Sequence, residues 1–154
     1  MVNILIAEDQ RWTRKGIIEM IDEELLGVGH IHESANGVEA IRQLEAGPVD
    51  ILITDIRMPG IDGLELSRHV MEHFPQTKVI VISGHDEFRY AREALRYGVK
   101  DYLLKPIQPA ELNVALEKIV SGHQMDKRRE DQYHRMVLRQ LLEGVDAEEA
   151  EPLG

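Results

Sequence analysis

The chain has 154 residues, of which 43% are hydrophobic and 30% charged, and its formal net charge is -10. This composition predicts one globular domain with a short extension, and it offers no general electrostatic attraction to nucleic-acid phosphates. The absence of cysteine excludes disulfides and thiolate chemistry. We expect a cytoplasmic protein, because the first strand begins almost at Met1 and leaves no room for a signal peptide, and because no apolar run approaches the roughly 18 residues that cross a bilayer.

Strand and helix patterns alternate along most of the chain. In chain order we predict a strand at 2–7, a helix at 12–26, a strand at 28–33, a helix at 38–44, a strand at 51–54, a helix at 64–74, a strand at 78–82, a helix at 87–97, a strand at 101–104 and a helix at 110–120. Short β-branched runs indicate the strands, and apolar residues at helical spacing indicate the helices. Gly98 suits a left-handed cap after the fourth helix.

The first predicted helix shows the helical pattern, with Ile17, Ile18, Ile21 and Leu25 on one face. Five strand–helix units of this spacing predict an α/β fold, with a doubly wound, five-stranded parallel sheet flanked by five helices. We expect the flavodoxin-like strand order 2-1-3-4-5.

The sequence changes character after residue 121. We assign residues 1–121 to the α/β domain, residues 122–143 to a helical linker or extension, and residues 144–154 to an acidic, disordered tail. The basic cluster Lys127-Arg128-Arg129 is followed directly by two acidic residues. We interpret it as a solvated helix face rather than as a contact with nucleic acid.

Polar residues stand where the predicted strands end. Glu8 and Asp9 follow the first strand, Asp55 ends the third, and Ser83 and Lys105 follow the fourth and fifth. In the expected strand order the first and third strands are neighbours at the edge where ligands bind, so the three carboxylates should meet there. Such carboxylates repel unless a divalent cation lies between them, and all-oxygen ligation by few protein donors suits Mg²⁺. With a lysine and a hydroxyl beside them, they describe a phosphoryl-transfer site in which Asp55 is the nucleophile.

Four motifs follow one another at these strand ends. They are Ile6-Ala7-Glu8-Asp9, Asp55-Ile56-Arg57-Met58-Pro59-Gly60 with Asp62-Gly63, Ile82-Ser83-Gly84, and Asp101-Tyr102-Leu103-Leu104-Lys105-Pro106. Through these motifs, residues 1–121 resemble the receiver domain of bacterial two-component response regulators, the CheY-like family. The sequence departs from the family where Glu8 replaces a frequent aspartate and where Ser83 replaces a frequent threonine.

The resemblance implies roles for the acidic residues. Asp55 would accept a phosphoryl group from a sensor histidine kinase. Glu8, Asp9 and Asp55 would hold Mg²⁺ together with the backbone carbonyl of Arg57. Arg57 and His85 fall at positions that influence hydrolysis of the phosphoryl group in similar proteins.

The resemblance also implies a switch. Ser83 and Tyr102 would be the switch pair, in which the hydroxyl moves toward the phosphoryl group and the ring turns inward behind it. Lys105 would bind a phosphoryl oxygen, aimed by a cis Lys105-Pro106 bond. A simpler interpretation of Tyr102 is packing against the core, and a simpler interpretation of Glu8-Asp9 is capping of the next helix.

Partners follow from the same resemblance. Receivers with the pattern seen at residues 83–91 often precede an AraC-type DNA-binding domain through a helical linker, so we expect a truncated regulator whose output is transcription. The chain would form a homodimer through the fourth and fifth helices or through the C-terminal helix. By itself it would bind neither DNA nor a membrane.

Other functions stay open at this point. A stand-alone receiver would act through protein contacts, and a receiver that takes no phosphoryl group would be a scaffold. A Mg²⁺-dependent phosphatase with an aspartyl nucleophile needs a cap and a general acid, but the chain has Arg57 at the expected position of the acid. A flavin-binding module needs a Ser/Thr/Gly-rich first loop, which the sequence lacks. We therefore predict a phosphoacceptor switch that is not an enzyme.

Overall fold

The computed structural model describes residues 1–84 and 88–122, except for the side chains at positions 88 and 91. The chain divides into two compact units, Met1–Glu117 and Lys118–Gly154, and residues 118–122 are the described part of the second. The predicted linker beyond residue 122 and the predicted acidic tail lie outside the described residues, and the domain boundary at residue 121 stays a prediction. Within the described ranges, no helix is both long enough and apolar enough to span a membrane.

A parallel sheet forms the centre of the first unit. Its strands are β1 (Val2–Ala7), β2 (Val28–Ser34), β3 (Ile51–Asp55), β4 (Lys78–Ser83) and β5 (Asp101–Leu104). The helices of the described residues are α1 (Arg11–Met20), α2 (Glu23–Leu26), α3 (Gly37–Ala46), α4 (Gly63–His73), α5 (Phe88–Arg96) and α6 (109–122). The strand order is β2-β1-β3-β4-β5, with every neighbouring pair parallel. This order confirms the predicted flavodoxin-like fold.

Both faces of the sheet are buried. Successive residues of a strand point to opposite faces, and on β1 Leu5 and Ala7 face a core that includes side chains of α3, α4 and α5. The helix residues of that core are Ala40, Leu44, Leu64, Leu66, Val70 and Ala94. Ile4 and Ile6 point the other way and are also fully buried. Because full burial of one such side chain contributes about 2 kcal/mol, the central strands are held firmly.

The first predicted helix is interrupted at Ile21, where the backbone is extended with φ -72° and ψ 124°. Asp22 then caps α2, because its side chain accepts the N–H of Leu25 at 3.1 Å. The N–H of Asp22 donates to Asn113 Oδ1 of α6 at 2.9 Å. These two hydrogen bonds replace the ones that a continuous helix would make at this residue.

The interruption changes which leucine is buried. Ile17 and Ile21 are buried as predicted, but Leu25 is 59% exposed and Leu26 is 4% exposed. The prediction that Leu25 shares one helical face with Ile17 and Ile21 was wrong, since the helical phase starts again at Asp22. The described residues therefore contain six helices rather than five.

Gly63 sets the position of α4 against the end of β3. Its N–H donates to the carbonyl oxygen of Ile56 at 2.7 Å. A Cβ atom at this position would overlap the carbonyl oxygen of Asp55. Glycine is needed here for close approach of two backbones, which keeps the residue after Asp55 next to the helix.

Candidate functional site

Three carboxyl groups meet at the carboxyl end of the sheet. Glu8 and Asp9 follow β1, Asp55 ends β3, and one oxygen of each lies within 4.8 Å of the others. Glu8 and Asp55 are buried, being 1% and 4% exposed, whereas Asp9 is exposed. The pairing of β1 with β3 explains the meeting, because Ala7 lies opposite Thr54 and the next residues leave the sheet side by side.

Asp55 has a charged partner and two backbone contacts. Its Oδ2 accepts a hydrogen bond from Lys105 Nζ at 2.7 Å, and its Oδ1 accepts the N–H of Ile56 at 2.7 Å. Its carbonyl oxygen accepts the hydroxyl of Thr54 at 2.9 Å. The peptide bond between Lys105 and Pro106 is cis. A buried carboxylate is thus fixed in orientation and faces a cation, as an attacking group in phosphoryl transfer requires.

Glu8 is less well satisfied. Its Oε1 accepts the N–H of Gln10 at 3.2 Å, but its buried Oε2 has no hydrogen-bond donor among the described residues. Lys105 Nζ is 3.9 Å from that oxygen, which is ion-pair distance only. Burial, and then the neighbouring carboxyl group of Asp55, raise the pKa of Glu8 from 4.5 to about 8. Lys105 only partly offsets this rise, so the charged form of Glu8 is disfavoured.

The three carboxyl groups of Glu8, Asp9 and Asp55 form an acidic group whose chemistry fits a magnesium ion. Its donors are carboxylate oxygens, it includes a buried oxygen without a donor, and its exposed member opens it to water. Mg²⁺ binds through one or two carboxylates and keeps several waters, which such an arrangement permits. Arg57 is exposed in the loop after β3, where it lines a cavity together with Asp9.

The interpretation of Asp9 as the cap of the next helix was wrong, although Glu8 accepts the N–H of Gln10 at 3.2 Å. The N-cap of α1 is Gln10, whose side chain makes no cap hydrogen bond. The Asp9 carboxylate is therefore not used as a helix cap.

Ser83 ends β4, beside β3, and Tyr102 lies on β5. The Ser83 hydroxyl is buried and has no hydrogen-bond partner among the described residues. Because Val81 pairs with Tyr102 and Ser83 pairs with Leu104, Ser83 and Tyr102 share one face of the sheet. The ring of Tyr102 is partly buried and packs against the core on that face. His85 lies outside the described residues.

Two residues that support the site were not predicted. Arg14 Nη1 donates to the carbonyl oxygen of Glu8 at 2.7 Å, and Arg14 Nε donates to Glu33 Oε1 at 2.9 Å. Helical side chains lean toward the N-terminus of their helix. Arg14 lies one turn inside α1, so this rule predicts that its long side chain reaches back toward the segment before the helix.

Comparison with known proteins gives a consistent family. The model of the response regulator receiver domain matches residues 4–117. The chain is 43% identical over 121 residues to the "Uncharacterized transcriptional regulatory protein YesN" of Bacillus subtilis (strain 168), which covers 79% of this chain and 33% of YesN. It is 33% identical over 120 residues to the "Transcriptional regulatory protein HptR" of Staphylococcus aureus (strain NCTC 8325 / PS 47), which covers 78% of this chain and 47% of HptR.

A solved structure agrees in fold. The REC domain of AraT, a response regulator from Geobacillus stearothermophilus, superposes with a TM-score of 0.77 at 39% identity, over 82% of this chain and 99% of that domain. The chain spans less than half the length of the two curated relatives named above. What those longer proteins do as a whole is therefore a separate question from what this chain does.

Proposed function

Because the chain belongs to the family of response regulator receiver domains of two-component systems, we propose that it is a phosphoacceptor switch in which Asp55 takes a phosphoryl group from a sensor histidine kinase. One observation carries most of this proposal. Asp55 is a buried carboxylate with the Lys105 ammonium 2.7 Å from one oxygen, in a group with two further carboxylates. An anionic nucleophile beside a cation suits attack on a phosphoryl group.

In the proposed reaction a carboxylate oxygen of Asp55 attacks the phosphorus atom of a phosphohistidine. The O–P bond forms as the P–N bond breaks, and the histidine nitrogen leaves with the bonding electrons. Lys105 offsets the negative charge of the phosphoryl group that arrives beside it. Glu8, Asp9, Asp55 and the carbonyl of Arg57 would hold Mg²⁺, which supplies further neutralisation of phosphoryl charge when bound.

The switch would run through β4 and β5. We assign Ser83 to donate its hydroxyl to a phosphoryl oxygen, which would satisfy a buried group that has no partner among the described residues. Movement of Ser83 would change the space behind it on the face that it shares with Tyr102. Phosphorylation would thereby favour one of two arrangements of this face.

The proposed output is transcription. Two relatives are named transcriptional regulatory proteins, and this chain covers their length only in part, so DNA binding would belong to a further domain of a longer protein. The kinase partner would act in the cytoplasm. Dimerisation through α5 and α6, or through the C-terminal helix, is the contact that we propose for the phosphorylated state.

Mass measurement of the intact protein tests the proposal. The wild type is incubated with Mg²⁺ and acetyl phosphate, and we expect the gain of one phosphoryl group. The Asp55→Asn variant should gain none, because the side-chain amide of asparagine is too weak a nucleophile to attack the phosphorus atom. Omitting Mg²⁺ should slow the gain strongly.

Asp62→Asn is the matched control, because Asp62 lies in the same loop and caps α4 by accepting the N–H of Glu65 at 2.8 Å. Asparagine caps equally well, so this variant should be phosphorylated like the wild type. No gain by the wild type, or an equal gain by Asp55→Asn, would refute the assignment. Steady turnover of a phosphomonoester would support a phosphatase instead.

A further inference from the structure

The acidic loop is the segment after β1 that contains Glu8 and Asp9, and Arg14 connects this loop with β2. Its Nη1 donates to the carbonyl oxygen of Glu8 at 2.7 Å, and its Nε donates to Glu33 Oε1 at 2.9 Å. The side chain is only 14% exposed. One guanidinium therefore bridges the carbonyl oxygen of Glu8, which follows β1, and a carboxylate on β2, and its planar fork suits two acceptors at once.

The main chain of Glu8 is thus attached to β2 at two points. Its N–H donates to the carbonyl oxygen of Ser34 at 3.0 Å. Its carbonyl oxygen is attached through Arg14 to Glu33, the residue before Ser34. Fixing both peptide groups of Glu8 restricts the direction in which its side chain leaves the backbone.

Glu33 is itself held in place. Its Oε2 accepts from Lys15 Nζ at 2.8 Å, while Oε1 accepts from Arg14. The hydrogen bonds from Lys15 and Arg14 lower the pKa of Glu33. Glu33 therefore pairs with two cations of α1, of which Arg14 is the more buried and Lys15 the more exposed.

We propose that Arg14 is a positioning residue for the acidic loop: oriented by Glu33, it fixes the backbone of Glu8 and so the placement of the Glu8 and Asp9 carboxylates. The consequence for Mg²⁺ rests on the proposed function, whereas the hold on the loop does not. Groups that orient metal ligands typically change metal affinity by about 10- to 100-fold when they are removed.

The variant Arg14→Met tests this with a side chain of similar length that has no donors. Lys15→Met is the matched control, because Lys15 is the next residue and binds the other oxygen of the same Glu33. Two quantities are measured on the full chain: hydrogen exchange of the Glu8 and Gln10 amides in EDTA, and the dissociation constant of Mg²⁺ by calorimetry.

We expect Arg14→Met to speed exchange of these two amides at least about 10-fold and to weaken Mg²⁺ binding about 10- to 100-fold. Lys15→Met should change neither by more than about 3-fold, because an exposed ion pair contributes little. Amides of β3 report general destabilisation, and their exchange should stay close to that of the wild type in both variants. Faster exchange across β3 to the same extent as in the loop would indicate a merely structural role and would overturn the proposal.

A substitute variant and two further results also test the role of Arg14. If Arg14→Met does not fold, Glu33→Gln is measured in its place, and loss of the charge that orients Arg14 should give a smaller change in the same direction. The proposal would be overturned if Arg14→Met changed neither the amide exchange of the acidic loop nor the affinity for Mg²⁺. It would also be overturned if Lys15→Met changed both quantities as much as Arg14→Met does. If the wild type binds no Mg²⁺, the proposed function fails, while loop exchange still decides whether Arg14 holds the loop.

Discussion

The carboxyl group of Glu8 lies in a buried site beside that of Asp55, and this environment governs the protonation of Glu8. The pKa of Glu8 is raised from 4.5 to about 8, first by burial and then by Asp55, against the opposing effects of the Gln10 amide and Lys105. At neutral pH the metal-free protein therefore favours a protonated Glu8. A cation bound by this carboxylate must displace that proton.

A pH dependence of stability follows from the direction of this shift. Between the unfolded pKa and about 8 the folded chain binds a proton that the unfolded chain releases, so stability is present at low pH and lost as pH rises through about 8. In EDTA we expect a lower unfolding temperature at about pH 8.5 than at about pH 6. Added Mg²⁺ should raise the unfolding temperature more at the higher pH. Calorimetric scans at both values measure this.

The control is Glu8→Gln, whose side chain does not titrate. Its unfolding temperature should change less between the two pH values than that of the wild type. Equal pH dependence in the two proteins would show that Glu8 titrates normally.

At the scale of secondary structure, the junction of β3 with α4 depends on Gly63. A Cβ atom there would overlap the Asp55 carbonyl oxygen. A Cβ atom at Gly16, inside α1, would have no atom of the described residues within 4 Å apart from its chain neighbours and the backbone of its own helix. We expect Gly63→Ala to lower the free energy of unfolding by about 3 kcal/mol, as overpacking does. Gly16→Ala should raise it by about 0.5–1 kcal/mol, since alanine favours a helix.

Urea denaturation of both variants measures the two changes. The helix α4 would also be displaced from Asp55 in Gly63→Ala, so its phosphorylation by acetyl phosphate should slow. A Gly63→Ala variant as stable as the wild type would mean that the junction relaxes without strain.

Most elements were predictable from sequence because short β-branched runs alternate with amphipathic segments. The interruption at Ile21 was not, since Ile17, Ile18, Ile21 and Leu25 have the spacing of one continuous helix. What decides the break is tertiary: the N–H of Asp22 bonds to Asn113, 91 residues away in sequence. A local pattern carries no information about such a partner.

The residues of the candidate site were likewise predictable only in part. The meeting of Glu8, Asp9, Asp55 and Lys105 was predictable, because parallel strands bring their carboxyl ends to one edge. The contribution of Arg14 was not, since its contact is with a backbone carbonyl, which every residue offers. The roles of all these residues stay predictions until the variants are measured.

At the scale of the whole molecule, β2 and β5 form the two edges of the sheet. Leu104 on β5 and Leu95 on the adjacent α5 are both exposed, and so is Leu25 of α2 beside the opposite edge. Exposed leucines next to an edge strand suit a contact between copies of the chain.

We expect phosphorylation to strengthen dimerisation about 5- to 150-fold, the usual range of coupling between sites. Leu104→Glu should abolish this gain, because a charge would be buried in the contact. Leu25→Glu should keep it. Sedimentation velocity over a concentration series measures the association, and loss of dimerisation in Leu25→Glu alone would place the contact at the other edge.

The buried oxygen of Glu8, which has no hydrogen-bond donor in the part of the chain that the structure describes, also bears on the lifetime of the protein in a cell. A cation that binds the folded chain and not the unfolded chain lowers the population of open forms. Proteases degrade proteins largely through those open forms. Scarcity of magnesium should therefore shorten the half-life of this protein, so that its abundance, as well as its signalling, would follow the supply of the ion.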